Sequence, residues 1–85
     1  MSQATIHVRF FARLREELGV SSLEVPFDSA PDLEGLTNWL TLSYPHWQSI
    51  FSGPMLKAVN QTMTRQNQAL QPGDEVAFFP PVTGG

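Results

Sequence analysis

The sequence contains no cysteine. That excludes disulfides, thiolate metal sites and a cysteine nucleophile. It fits a reducing compartment such as the cytoplasm. Positive charge is scarce as well: five Lys and Arg against eight Asp and Glu leave a net charge of −3. The five are scattered and form no basic stripe, so a nucleic-acid partner is not expected. No apolar run approaches the roughly 20 residues that a spanning helix needs. The N-terminal MSQATIHVRF lacks the charged-then-apolar order of a signal peptide. No membrane role is therefore expected. Internal repeats and an interdomain linker are also missing.

What remains is 85 residues with a 41% hydrophobic fraction, which suits one small folded domain. A domain of this size buries only about 60% of its unfolded surface, so the core is thin. Thr5 to Ala12 alternates, with Ile6, Val8 and Phe10 on one side and His7, Arg9 and Phe11 on the other; period two predicts a strand. ARLREELG comes next as a short helix, with Leu14 and Leu18 four apart and Gly19 as its stop. Ser22 to Phe27 alternates again. A helix start is expected within Asp28 to Asp32, capped by Ser29 or Asp32 and with Pro31 in its first turn. Leu33, Leu36, Leu40 and Tyr44 mark its buried face, and Pro45 ends it. Residues 46 to 55 read as an irregular segment that packs Trp47, Ile50 and Phe51 on the core edge. Leu56 to Asn60, Thr62 to Arg65 and Glu75 to Phe79 read as strands, with a turn at Gln71 to Asp74. The expected class is α+β, one sheet with helices on one face.

Phe10-Phe11 closes the first strand and Phe78-Phe79 the last. Adjacent strand residues point to opposite faces. By alternation with Ile6, Val8 and Val76, the outward members are Phe11 and Phe79. Two readings stay open for them: rings covered by loops, or a hydrophobic patch that docks a partner, extended by Met63.

The chain ends FFPPVTGG. Pro80-Pro81 holds the exit from the last strand extended. Val82 and Thr83 offer a little side-chain purchase. Gly84 and Gly85 carry no side chain, so a narrow channel can close around the backbone and nothing crowds the last carboxylate. A carboxylate must be activated, for example as an acyl-phosphate anhydride, before it reacts. The expected organisation is a domain over residues 1–79 and an extended reactive tail over residues 80–85.

DEVAFFPPVTGG, AVNQT and VRFFARLRE together resemble the small subunits of molybdopterin synthase, a family of ubiquitin-like sulfur carriers with a β-grasp fold. The resemblance is dense at both ends and around Val59, and thin between about Val20 and Gly53. It implies that the first and last strands lie side by side in a mixed sheet. It also implies that an ATP- and magnesium-dependent adenylyltransferase activates the carboxylate of Gly85. A persulfide sulfur donor then yields a thiocarboxylate. The large catalytic subunit uses this to sulfurate cyclic pyranopterin monophosphate to the molybdopterin dithiolene, within a heterotetramer. The chain would be a co-substrate and a non-catalytic subunit, with no permanently bound cofactor and no metal. Pro80, Pro81, Val82, Thr83 and Gly84 would position the tail; Phe11, Phe79, Met63 and Arg15 would meet the partner, with Arg13 beside them. The other readings are a carrier for thiamine or transfer-RNA thiolation, a protein modifier, and a plain protein-binding domain.

The remaining polar residues carry weaker signals. His7 and His46 have no metal-ligand spacing and read as surface imidazoles. Lys57 reads as a solvated strand end and Asp74-Glu75 as a turn and strand start. Asn60 reads as a turn or edge residue with local hydrogen bonds.

Overall fold

A computed structural model of the chain describes residues 4–53 and 55–80. Five strands and three helices succeed one another in the order β1 (Thr5–Phe10), α1 (Arg13–Leu18), β2 (Ser22–Pro26), α2 (Leu33–Ser43), α3 (Gln48–Phe51), β3 (Leu56–Val59), β4 (Thr62–Thr64) and β5 (Glu75–Phe79). Single 3₁₀ turns at Phe27–Ser29 and Pro45–Trp47 lead into α2 and α3.

The sheet order is β2-β1-β5-β3-β4. β1 and β5 pair in parallel, His7 opposite Glu75 through Phe10 opposite Phe78. Every other pair is antiparallel. The sheet is therefore mixed, with the first and last strands adjacent.

The alternating pattern places Ile6, Val8, Phe10, Val25, Val59, Val76 and Phe78 in one buried cluster with Leu14 and Leu18 of α1, Leu33, Leu36 and Leu40 of α2, and Trp47. All the helices thus cover one face. Each fully buried side chain of this kind contributes about 1.5–3 kcal/mol against leaving it in water. Trp47 holds the centre of an aromatic group, stacked on Tyr44 at 4.2 Å and edge-on to Phe10 at 5.7 Å.

Several boundaries differ from the expected ones. β1 stops at Phe10 because Ala12 turns the chain with a left-handed φ of 56°. β2 stops at Pro26, since Phe27 opens a 3₁₀ turn. Asp32, not Ser29, caps α2: its Oδ1 accepts the Gly35 N–H at 2.7 Å. Pro31 lies before the cap rather than in the first turn. The segment from residue 46 is not wholly irregular, because Gln48–Phe51 closes one helical turn. β4 ends at Thr64. Gly19 ends α1 with φ 81°, and Gly73 takes φ 89° in the turn before β5, both values that favour glycine.

Asn60 is the turn residue expected, but its hydrogen bonds differ from the expected ones. It and Gln61 form the two-residue β3–β4 turn with φ 50° and 70°, the pattern of a type I′ hairpin. Its hydrogen bonds are not local. Its amide donates to Asp74 Oδ1 at 3.0 Å, and its Oδ1 accepts the Glu75 N–H at 3.0 Å. The side chain ties the hairpin to the start of β5.

Candidate functional site

The face of the sheet without helices carries a small apolar field at the C-terminal end of β5. Cross-strand register builds it row by row, because directly opposed residues share a face. Phe79 stands opposite Leu56, and Ala77 opposite Ala58. Ala58 in turn stands opposite Met63. Just past β1, the Phe11 N–H donates to the Phe78 carbonyl at 3.2 Å. The Phe11 ring then stacks on Phe79 with centroids 5.0 Å apart and planes 14° apart.

Burial within the field is graded. Ala58 and Ala77 are buried, Leu56, Phe11 and Phe79 are half-buried, and Met63 is 55% exposed. The rings are covered by each other and by Arg9, whose guanidinium carbon lies 5.2 Å from the Phe11 ring centre. The same guanidinium pairs with Glu75 at 3.4 Å, an exposed contact of small energy. Beyond Arg9 the face turns polar, through His7, Glu24 and Glu75.

Pro80 comes directly after Phe79 and is half-buried. It lines a shallow groove with Arg13, Leu14, Glu17, Ile50 and Met55. The expected tail residues Pro81, Val82, Thr83, Gly84 and Gly85 lie outside the described residues. Phe11, Phe79 and Met63 therefore share the open face, and Pro80 follows Phe79 directly. Arg15 stands exposed on α1, and among the described residues it makes no ion pair.

Leu56, Ala58, Ala77 and Arg9 belong to this face but were not among the residues expected to meet a partner. Their signal is register, which no single strand contains. The polar residues that invited other chemistry stay apart. His46 packs on the Tyr44 and Trp47 rings, and no group of three metal-ligating side chains forms among the described residues. Lys57 stands opposite Phe78, on the helix side and half-buried, rather than at a solvated strand end. Asp74 Oδ2 accepts the Gln71 N–H at 2.8 Å and so closes the turn. No helix among the described residues is long and apolar enough to cross a membrane.

A half-exposed aromatic face of this kind suits recognition. Known proteins resemble the chain in sequence and in fold. The chain is 44% identical to the molybdopterin synthase sulfur carrier subunit of Escherichia coli over 94% of this chain and 99% of that one. It is 40% identical to the subunit of the same name from Haemophilus influenzae, again over 94% and 99%. Among solved structures, the small archaeal modifier protein SAMP1 of Haloferax volcanii superposes with a TM-score of 0.78 at 26% identity, covering 95% of this chain and 99% of that one. The fold is the ubiquitin-like β-grasp. A model of the ThiS family matches residues 8–85, and the chain belongs to that family.

Proposed function

We propose that this chain is the sulfur carrier subunit of a molybdopterin synthase. The 44% identity to the Escherichia coli carrier subunit, over nearly the whole of both chains, carries the reading. The adjacency of an open aromatic face and the root of the tail supports it. Aromatic residues are enriched at the buried centres of interfaces, and a partner seated on Phe11 and Phe79 would hold the tail at its own active site.

In this reading Gly85 supplies the reacting carbon. An activating enzyme uses ATP and magnesium, neither of them resident in the carrier. A carboxylate oxygen of Gly85 attacks the α-phosphorus and pyrophosphate leaves. The terminal sulfur of a persulfide displaces AMP, and a thiol then releases the thiocarboxylate from the acyl disulfide. The large subunit receives the tail, and the thiocarboxylate sulfur attacks cyclic pyranopterin monophosphate. Two such transfers build the dithiolene. Gly84 lets the backbone pass a narrow channel, and Pro80, Pro81, Val82 and Thr83 set its direction. In this reading the carrier is a co-substrate and a non-catalytic subunit, and catalysis resides in the activating enzyme and the large subunit.

Deleting Gly85, or adding one residue after it, should abolish sulfur loading and leave the fold intact. Intact mass after incubation with ATP, activating enzyme and sulfur donor reads the loading, as a sulfur-for-oxygen gain on the C-terminal peptide. Circular dichroism reads the fold. Loading of either variant at the wild-type rate would sink the proposal. The likeness to the archaeal modifier favours a second reading, transfer of the activated Gly85 to lysines of other proteins. Stable high-mass conjugates, without dithiolene formation when precursor and large subunit are added, would select it.

A further inference from the structure

Ala12 has φ 56° and ψ −139°. Non-glycine residues are rare and strained in this region. Its mirror image falls in the polyproline II region, comfortable for an L-residue. The Leu14 N–H donates to the Phe11 carbonyl at 3.2 Å, so residues 11–14 form a turn with positive φ at its second position. That is the type II′ pattern, which ordinarily takes glycine there. The alanine side chain is exposed, so no contact of its own explains the conformation.

The neighbours on either side explain what it accomplishes. Phe11 must lie on the open face, stacked on Phe79. Three residues later Leu14 must be in the core, where it is 3% exposed. Ala12 carries the chain from one face to the other in a single step. An extended residue would continue β1 along β5, and a right-handed one would begin α1 beside the Phe11 ring. We propose that Ala12 is a positioning residue for the docking surface: its left-handed backbone fixes Phe11 on Phe79 and keeps α1 clear of them. This rests on the reading of that face as the partner's seat.

The test compares the wild type, Ala12→Val, and a synthetic chain with D-alanine at position 12. D-alanine adopts the observed backbone without strain and changes no atom count. Two quantities are read: the ring-to-ring nuclear Overhauser contact of Phe11 and Phe79 in the free protein, and affinity for the large subunit. The D-alanine chain should unfold at a higher temperature and keep both the contact and the affinity. Ala12→Val should lose the contact and bind about tenfold more weakly, a shift typical of a displaced interface anchor. In a Phe11→Ala background the same valine should cost nothing further, because the two changes act through one ring.

Retention of contact and affinity by Ala12→Val would overturn the proposal. So would an equal affinity loss with and without Phe11, or a D-alanine chain that loses the contact or binds more weakly. If the valine chain does not fold, the D-alanine chain decides alone: an unraised unfolding temperature overturns the assignment. Wild-type affinity of Phe11→Ala by itself would instead remove the docking reading, while the ring contact still tests the role of Ala12.

Discussion

Phe10 and Phe78 stack at 5.9 Å on the helix-covered face; Phe11 and Phe79 stack at 5.0 Å on the open one. The two pairs come from the same adjacent strands, one residue apart. Their stacking is nearly the same, with planes 19° and 14° apart. Their surroundings differ. The inner pair is 2% and 0% exposed and is closed in by Trp47 and Phe51. The outer pair is half-buried, with Arg9 over the Phe11 ring. Stacking therefore does not distinguish the two pairs in this molecule; enclosure does. The inner rings have spent their apolar surface on the fold. The outer rings still have surface to bury against a partner.

The largest effect belongs to the inner pair. Phe78→Ala should lose about 3–5 kcal/mol of stability, because it leaves a cavity among Phe10, Phe51 and Val76 that the sheet cannot close. Urea unfolding measures this directly. A loss below about 1 kcal/mol would break the distinction, since surface substitutions lie in that range.

The faces themselves were legible in the sequence. Alternation through Ile6, Val8 and Phe10 assigns Phe11 outward, and Val76 with Phe78 assigns Phe79 outward; burial agrees at these seven positions, while the small outward Ala77 is buried between its neighbours. Leucines three and four apart mark α2, and Asp32 is one of the two residues before it able to cap it. Contacts between distant segments were not legible. Leu56, Ala58 and Ala77 join the outer field only once β3 is known to pair with β5. Asn67 supports the start of α2 from 33 residues away, its Oδ1 accepting the Glu34 N–H at 2.9 Å. Nothing near Asn67 announces this. The α3 turn has four residues, too few for any periodicity to register. Ala12 was invisible for a different reason: the residue type argues against the backbone it adopts, so tertiary packing on both sides must impose it.

The outer pair should show the reverse balance. Phe79→Ala removes a half-buried ring and one stack, about 1 kcal/mol of stability. Its affinity for the large subunit should fall about tenfold, as for an interface anchor. Titration calorimetry and urea unfolding on the same sample separate the two. Equal affinity of variant and wild type would assign both aromatic pairs to the fold.

Acid should distinguish the faces with the smallest effect. The Gly35 N–H, and then the Asn67 amide, hydrogen-bond the Asp32 carboxylate and hold its pKa below the ordinary 3.8. A depressed folded-state pKa means that the charged form favours folding. The contribution is present above the unfolded value and fades as pH falls through the folded one. Asp32→Ala should therefore unfold at a lower temperature than wild type at neutral pH, and the gap should narrow below about pH 4. The Asp32 side chain bonds the α2 start and the loop at Asn67, away from the open face, so the Phe11–Phe79 ring contact should survive both the substitution and the acid. A gap that widens on acidification would reverse the assigned sign. Loss of the ring contact in Asp32→Ala at neutral pH would show that the open face depends on the α2 cap, and that the two faces are not independent.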